Sequence, residues 1–342
     1  MTTSKSTPTT AAKPEPAAET KQAALARADA TCAETTQSAA DCANSLFDAL
    51  IIGGGSAGAS CALWLKLLGL NPCIIERNDR LGGLQADSPY LNPWIVSSRP
   101  QAGSAIAAEM QHNILTQGIA CRFSETVRRL EKNTQGFTVH SANGNKLRGK
   151  TLVLASGVRP VSGNLNATPR LLIGPSARIA QHNFAGQSVA ILGGGDNAFE
   201  HYLLIKATSA SQNGTENGNV AAAKITLFAR SIRARQAFRA QIPDCDIQLG
   251  EYQVCAEQNS VNHQHYDWIL VMYGWTPELN YAQELGLARD ERGFLRTDTH
   301  CQTSVPGIYA IGEVTQRMHP CCVTAMADGV VAAKAIERTL IG

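Results

Sequence analysis

Residues 47–58 decide the fold that this sequence predicts, and they read Phe47-Asp48-Ala49-Leu50-Ile51-Ile52-Gly53-Gly54-Gly55-Ser56-Ala57-Gly58. The apolar half is typical of a strand in a parallel sheet that is covered on both faces. The glycine half has the spacing Gly-x-Gly-x-x-Gly, in which the first glycine allows a tight turn, the second lets a diphosphate approach the backbone, and the third lets helix and strand pack closely. The stretch therefore predicts a diphosphate at the N-terminus of a helix.

The residues that follow complete a strand–helix–strand unit. Residues 59–68 have helical periodicity, Gly69 ends the helix, and residues 72–76 form a second apolar strand. That strand ends on Glu76, where a carboxylate accepts hydrogen bonds from ribose hydroxyls. With the strand, the helix and the acid all in place, we expect this unit to bind a dinucleotide.

A second unit of the same kind occurs later in the chain. The apolar strand 188–192 leads into Gly193-Gly194-Gly195-Asp196-Asn197-Ala198 and a helix to about residue 207. A polar insert at 208–219 and an apolar strand at 224–228 follow. Two such units predict two dinucleotide-binding domains in one chain.

Composition excludes several classes of protein. The chain has 342 residues, of which 44% are hydrophobic, and its 30 basic residues nearly balance its 28 acidic ones. Wholesale disorder and an electrostatic grip on nucleic acid are therefore not expected, and no apolar run approaches the ~18 residues of a membrane-spanning helix. We expect a soluble, cytoplasmic protein.

Residues 1–46 are rich in Ala, Thr, Ser and Pro and lack the apolar run of a signal peptide. This composition predicts a disordered tail.

The ten cysteines are too sparse for a disulfide scaffold, and no Cys-x-x-Cys occurs anywhere in the sequence. Cys32 and Cys42 lie in the tail, where we expect no role for them. No metal site is predicted.

Four further stretches carry a family resemblance, and they occur in the order Gly82-Gly83-Leu84-Gln85, 152–157, 303–313 and 324–333. They resemble the FAD-contacting motifs of the low-molecular-weight thioredoxin reductases, in the pyridine nucleotide-disulfide oxidoreductase superfamily. The resemblance covers about residues 47–340. It implies an α/β fold with two Rossmann-like, three-layer domains and a homodimer. The FAD domain would be discontinuous, at 47–160 and 278–342, with the second nucleotide domain inserted at 161–277.

The resemblance also implies which residues bind FAD. The glycine turn would hold the diphosphate, Glu76 the adenosine ribose, and Gly312 with Glu313 the pyrophosphate and ribityl chain. The family has Asp where this chain has Glu313, so one extra methylene shifts that acceptor. The implied FAD contacts are Gly53, Gly55, Ser56, Ala57, Gly58, Glu76, Arg77, Gly83, Gln85, Val127, Ala155, Ser156, Gly157, Gly312, Glu313 and Val323.

The second glycine motif resembles the NADPH site of the same family, with Glu200 matching an acid near the nicotinamide. The cationic cluster that clamps the 2′-phosphate in the family is reduced here to Arg230 and Arg235. Together with Arg233 and Arg239 these form a candidate phosphate patch, and a solvated basic face is the alternative. The dinucleotide stays open between NAD(P)H and a second FAD. The implied contacts are Gly193, Gly195, Asp196, Asn197, Ala198, Glu200, Arg230 and Arg235.

The redox disulfide of the thioredoxin reductases is missing. The positions that carry Cys-x-x-Cys in the family are Ser176-Ala177-Arg178-Ile179 in this sequence. Because only a thiolate attacks a disulfide, reduction of thioredoxin by the usual route is not expected. Cys321 and Cys322 precede the last helix, at positions that face the flavin in the family, and are the candidate catalytic pair. The alternative is two small residues packed near the flavin.

These observations predict an FAD-dependent oxidoreductase that moves electrons between flavin, a second dinucleotide and a thiol or disulfide. Its partner would be a small molecule or a small redox protein. The diflavin-linked disulfide oxidoreductases are the branch that the sequence resembles best. Two alternatives stay open: a flavin-dependent reductase that links NAD(P)H to an electron carrier, and a non-catalytic flavin-binding redox sensor.

Overall fold

The computed structural model describes residues 45–342 except 89, 212–220 and 317–318. Nearly all of the tail predicted at 1–46, with Cys32 and Cys42, lies outside the described residues, as does most of the polar insert predicted at 208–219.

Short strands and six helices make up the described chain. The helices are α1 (Ser56–Leu67), α2 (Gly103–Thr116), α3 (Ala177–Gln181), α4 (Asp196–Ser211), α5 (Gln236–Arg239) and α6 (Cys322–Leu340). The strands are β1 (Leu46–Ile52), β2 (Pro72–Ile75), β3 (Leu91–Asn92), β4 (Gln101–Ala102), β5 (Ala120–Arg122), β6 (Val127–Asn133), β7 (Gly136–Ser141), β8 (Lys146–Leu154), β9 (Val158–Pro160), β10 (Leu171–Ile173), β11 (Ser188–Leu192), β12 (Lys224–Ala229), β13 (Ile247–Leu249), β14 (Val254–Cys255), β15 (Ser260–Val261), β16 (Gln264–His265), β17 (Trp268–Val271), β18 (Trp275–Pro277) and β19 (Ile308–Ala310).

The first sheet has the strand order β5-β2-β1-β8, and β19 continues it in parallel on the far side of β8. Strand β8 is long enough to pair with two further strands. Its residues 152–154 pair with β19, and its residues 146–149 pair with the antiparallel strand β7. Strand β7 pairs in turn with β6. The sheet is thus assembled from residues 46–154 and a strand that returns at 308–310.

The second sheet is parallel throughout, with the order β10-β17-β11-β12-β13. Both glycine-rich turns follow the first strand of their unit, β1 and β11, and each leads into a helix. The predicted α/β fold with two open, mostly parallel sheets is confirmed.

An antiparallel ribbon of β9 and β18 carries the chain out of the first sheet and back to it, and the predicted domain bounds at 160/161 and 277/278 fall at the ends of these strands.

Residues 49–52 of β1 are all apolar because the two faces of this strand pack against different layers. Ile51 lies in a buried cluster with α1 and α6, whereas Leu50 lies in a cluster with residues of β6, β7 and the segment 279–295. Neither side chain is accessible to solvent. Among the described residues, no helix is both long enough and apolar enough to cross a membrane.

Helix α6 packs directly on α1 at Gly329. A Cβ atom built on Gly329 would lie 2.6 Å from the carbonyl oxygen of Ala57 and 2.7 Å from the backbone nitrogen of Cys61. The two helix backbones therefore approach too closely for any side chain at this position.

We expect Gly329→Ala to destabilise the protein by about 1–3 kcal/mol, because the added methyl overpacks this contact. In an ordinary exposed helix the same change is favourable by about 1 kcal/mol, so the sign of the effect reports the close approach. Urea unfolding measures it. Ala327→Val, on the exposed side of α6, is the control and should cost far less. A stabilised Gly329→Ala protein would contradict the packing.

Candidate functional site

The first glycine turn follows β1, and its three motif glycines have different surroundings. A Cβ on Gly53 (φ +103°) would lie 2.4 Å from the carbonyl oxygen of Ala155, and one on Gly58 would lie 2.0 Å from that of Gly53. A Cβ on Gly55 would meet nothing closer than the Cα of Gly83, at 3.9 Å. Gly53 and Gly58 are thus required by backbone packing, and Gly55 leaves open space at the N-terminus of α1, as a bound diphosphate requires.

Glu76 is buried directly beneath this turn. Its Oε2 accepts a hydrogen bond from the backbone N–H of Gly54 at 2.7 Å, and its Oε1 accepts one from the N–H of Asn78 at 2.9 Å. Glu76, the acid predicted to bind ribose, therefore also fixes the glycine turn. Sequence reasoning missed this second role. Each carboxylate oxygen keeps a further lone pair for a ribose hydroxyl.

A first cavity of about 420 Å³ opens in front of this turn. It gathers segments that are far apart in the chain. The predicted residues that line it are Gly53, Gly55, Ser56, Ala57, Glu76, Arg77, Gly83, Gln85, Ala155, Ser156, Gly157, Gly312, Glu313, Cys321 and Cys322.

The predicted residues Gly58, Val127 and Val323 are not among those that line the first cavity. Gly58 packs on β1 instead, Val127 packs on the core, and Val323 is exposed. Sequence reasoning missed other lining residues, among them Asn78, which follows Glu76 and Arg77 at the end of β2. The further residues missed are Gly82, Leu84, Asp87, Ser88, Val158, Glu278, Ile311 and Ala325.

Three partly buried hydrogen bonds fix the segments around Ser156 and Gly312, which line the first cavity. Ser156 donates its hydroxyl hydrogen to the carbonyl of Glu278 at 2.6 Å and accepts one from Tyr281 at 2.7 Å. The N–H of Gly312, which the resemblance assigns to pyrophosphate, donates to Oδ2 of Asp328 at 3.1 Å. Asp328 therefore fixes the turn that carries Glu313, and burial raises the pKa of Glu313 above its usual range.

Cys321 and Cys322 lie at the start of α6 in different environments. Cys321 is exposed and caps the helix, with its Sγ 3.5 Å from the N–H of Thr324 and 3.4 Å from the hydroxyl of the same residue. Partial burial raises the pKa of Cys321, but hydrogen bonds from Thr324 and from the N–H of Val323 outweigh it and hold that pKa below its usual value. Burial raises the pKa of Cys322, although the Ser56 hydroxyl, 3.3 Å from its Sγ, partly opposes this.

The second glycine turn repeats the geometry of the first. A Cβ on Gly193 (φ +145°) would lie 2.3 Å from the carbonyl oxygen of Met272, as one on Gly53 would meet Ala155. A Cβ on Gly195 would meet nothing within 4 Å, which makes Gly195 the counterpart of Gly55. Ala198, in place of the third glycine, is fully buried.

A second cavity of about 340 Å³ lies at this turn, lined by Gly193, Gly194, Arg230, Ser231, Arg233, Tyr252 and Tyr273. Two of the four predicted patch arginines are absent from it. Arg235 donates its Nε–H and backbone N–H to the carboxylate of Asp196, each at 2.8 Å. Arg239 pairs with Asp244. Only Arg230 and Arg233 therefore offer charge to this cavity, and Tyr252 and Tyr273, which sequence reasoning missed, lie beside them.

A middle cavity of about 280 Å³ contains the remaining predicted residues, Asn197 and Glu200. Ser176, at the position where the family carries its redox disulfide, also lines it. Burial raises the pKa of Glu200, which the nearby Arg235 only partly offsets. Among the described residues, no cluster of three or more His, Cys, Asp or Glu side chains is arranged to hold a metal ion.

Two curated proteins are similar in sequence to most of this chain. The NADH dehydrogenase of Bacillus subtilis (strain 168) is 24% identical over 296 residues, which cover 84% of this chain and 57% of that protein. One subunit of the alkyl hydroperoxide reductase of Staphylococcus aureus (strain MRSA252) is 25% identical over 308 residues, covering 84% of this chain and 58% of that protein. The chain thus spans little more than half the length of these curated relatives.

The fold also matches a solved structure. The thioredoxin reductase of T. acidophilum superimposes with a TM-score of 0.71 at 20% identity, covering 86% of this chain and 99% of that one. The sequence profile of the pyridine nucleotide-disulphide oxidoreductases matches residues 47–329, from β1 through the first turns of α6. Because that match includes both glycine turns and all three cavities, the chain belongs to the pyridine nucleotide-disulphide oxidoreductase family and has the thioredoxin-reductase fold.

Proposed function

We propose that the chain is an oxidoreductase that binds FAD in the first cavity and NADPH in the second, and passes electrons from NADPH through the flavin to an acceptor. One observation carries this proposal: each of the two strand–turn–helix units leaves open space beside one motif glycine, Gly55 or Gly195, and has a cavity at its glycine turn. The proposed domains are those expected from the sequence, with FAD held by 47–160 and 278–342.

The residues of the first cavity fit FAD. The open space at Gly55 admits the diphosphate, the N-terminus of α1 favours its charge, and Glu76 accepts from the adenosine ribose. Glu313 is partly buried and faces the same cavity, and this burial raises the pKa of its carboxyl above the usual range. When bound, FAD supplies a group that takes two electrons from a nicotinamide and releases them to an acceptor.

The residues of the second cavity favour NADPH over NADH and over a second FAD. An acid at the end of the second strand of a dinucleotide-binding unit binds the free ribose 2′-hydroxyl, whereas an arginine accommodates a 2′-phosphate. Glu76 directly follows β2 in the first unit, whereas Arg230 directly follows β12 in the second, and Arg233 lines the same cavity as Arg230. A guanidinium is well suited to a phosphate dianion because its fork matches two phosphate oxygens.

A second candidate function is carried by the lowered pKa of Cys321, which lines the first cavity with Cys322. The Cys321 thiolate would attack a small disulfide, forming a mixed disulfide and releasing one thiol of the substrate. The thiolate of Cys322 would then attack Sγ of Cys321, which breaks the mixed disulfide, releases the second thiol and leaves a Cys321–Cys322 disulfide. This route needs no cysteine at 176–179.

We expect Gly55→Val to fold normally but to lose its flavin, because the new side chain occupies the space of the diphosphate while its Cβ lies no closer than 3.9 Å to another residue, at the Cα of Gly83. Flavin absorbance per chain and far-ultraviolet circular dichroism measure the two properties. Gly195→Val is the matched control at the second turn and should keep its flavin. Full stoichiometric flavin in Gly55→Val would refute the placement.

For the donor, we expect Arg230→Ala and Arg233→Ala each to raise the KM for NADPH by about tenfold or more, since a hydrogen bond to a charged group contributes about 1.5–3 kcal/mol. The KM for NADH should change little. Arg239→Ala, which removes an arginine paired with Asp244, is the control. Equal effects on the KM values of both nucleotides would contradict a 2′-phosphate site. If neither NADPH nor NADH bleaches the flavin of the wild type, the sensor alternative is favoured.

For the cysteines, we expect Cys321 to be alkylated by iodoacetamide at lower pH than an ordinary thiol, because its pKa is lowered and the thiolate is the reactive form. Thr324→Val removes a stabilising donor and should move the midpoint to higher pH, whereas Thr324→Ser should not. Peptide-resolved mass spectrometry follows the reaction.

The same pair is tested by the rate at which a small dithiol reduces the flavin. Cys321→Ser and Cys322→Ser should each abolish this reduction, and Cys245→Ser, at an exposed site outside the cavities, should not. Wild-type rates in both variants would rule out the thiol route.

A further inference from the structure

Tyr252 and Tyr273 line the second cavity together with Arg230 and Arg233, and the proposed function gives these two tyrosines no role. They come from strands that are not neighbours. Tyr273 lies shortly after β17 and Tyr252 shortly after β13, and the sheet order places β11 and β12 between these two strands. Because adjacent strands are about 4.8 Å apart, side chains that meet from these positions extend across the carboxyl ends of β11 and β12, where the glycine turn and Arg230 lie.

The hydroxyls of Tyr252 and Tyr273 do meet, in a hydrogen bond with each other. Burial raises the pKa of both tyrosines. The bond between them adds to this rise in Tyr273 but opposes it in Tyr252. These directions are those of a pair in which Tyr273 donates and Tyr252 accepts, because a donated hydrogen bond stabilises the phenolate that receives it.

The pair keeps one hydroxyl hydrogen for a ligand. Two hydroxyls have two hydrogens, and the bond between them uses only that of Tyr273. In the part of the chain that the structure describes, no further group forms a hydrogen bond with either hydroxyl. Tyr252 is partly exposed and lines the cavity, so its hydroxyl hydrogen is available to an acceptor there.

Packing of both rings fixes this hydroxyl pair in place. The ring of Tyr252 packs against Phe228 of β12, with the ring centroids 5.6 Å apart. The ring of Tyr273 lies against Gly163, where an added Cβ would be 2.6 Å from the ring carbon Cε2. Since neither ring is free to turn away, a ligand that accepts from Tyr252 pays little side-chain entropy for the contact.

The charges around the pair select an anion. Arg230 interacts electrostatically with both tyrosines, and Arg233 lines the same cavity. No carboxylate is among the residues that line this cavity, and Glu251, which is close to Tyr252, is not one of them. Two guanidinium groups and one available O–H suit a phosphate monoester, which has several acceptor oxygens and a negative charge.

We propose that Tyr252 is a specificity-determining residue, whose hydroxyl donates to the 2′-phosphate that Arg230 and Arg233 bind, while Tyr273 acts as a positioning residue that orients the Tyr252 hydroxyl. This inference rests on the NADPH site of the proposed function. It adds a neutral donor to that site, and it assigns the discrimination between NADPH and NADH to a tyrosine as well as to the arginines.

The test is calorimetric binding of NADP⁺ and NAD⁺ to the oxidised, flavin-containing protein, since these nucleotides differ only in the 2′-phosphate and neither reduces the flavin. Tyr252→Phe should weaken NADP⁺ binding about tenfold, as expected for loss of one hydrogen bond to a charged group, and leave NAD⁺ binding unchanged. Tyr273→Phe leaves the Tyr252 hydroxyl in place without its support and should weaken NADP⁺ binding less. The double variant should bind as Tyr252→Phe does, because Tyr273 acts only through Tyr252.

Tyr266→Phe is the matched control, because the Tyr266 ring also packs against Phe228 while its buried hydroxyl lies outside the cavity. It should bind both nucleotides as the wild type does. If the wild type does not prefer NADP⁺ to NAD⁺, the proposed NADPH site is wrong and this inference fails with it. If the wild type prefers NADP⁺ and Tyr252→Phe keeps the full preference, only this inference is overturned. Equal weakening of both nucleotides in Tyr252→Phe would assign the hydroxyl to the diphosphate and would overturn it as well.

Discussion

The hydrogen bond from the backbone N–H of Gly54 to the buried carboxylate of Glu76, 2.7 Å long, ties the first glycine turn to the strand beside it. On the other side of the turn, Gly53 lies so close to Ala155 that no side chain fits. Three strand ends, those of β1, β2 and β8, are thus joined at one point. The first cavity, the start of α1 and the turn that carries Glu313 all take their positions from this junction.

The second sheet has the same backbone junction, but an arginine, Arg230, stands where the first unit has the acid Glu76. The N–H of Gly193 bonds to the carbonyl of Phe228 at 2.8 Å, as that of Gly53 bonds to Ile75 at 2.9 Å. The carbonyl of Gly194 accepts from the N–H of Arg233, as that of Gly54 accepts from Gly82. The acid of the first unit has no counterpart after β12, where Arg230 stands. One backbone geometry therefore supports two sites of opposite local charge.

Between the two units, the chain differs from the thioredoxin-reductase pattern in what it places beside the first cavity. The segment at 176–179 carries no thiol, and its Ser176 lines a cavity with aromatic walls. The thiols nearest the first cavity, Cys321 and Cys322, lie at the start of α6. Their opposite pKa shifts follow from position alone: Cys321 caps the helix and accepts hydrogen bonds, whereas Cys322 is buried.

The sequence by itself determined the fold class, both glycine turns and the family, because strand periodicity and glycine spacing are local properties of contiguous residues. It also placed Glu76 at the end of its strand and Arg230 just beyond its own, and in the structure each lies directly after a strand, β2 and β12. Only the tertiary structure decided that Asp196 and Asp244 engage Arg235 and Arg239, and that Tyr90 meets His201. Those contacts join residues that are distant in the chain or free to choose among several partners, so neither spacing nor composition specifies them.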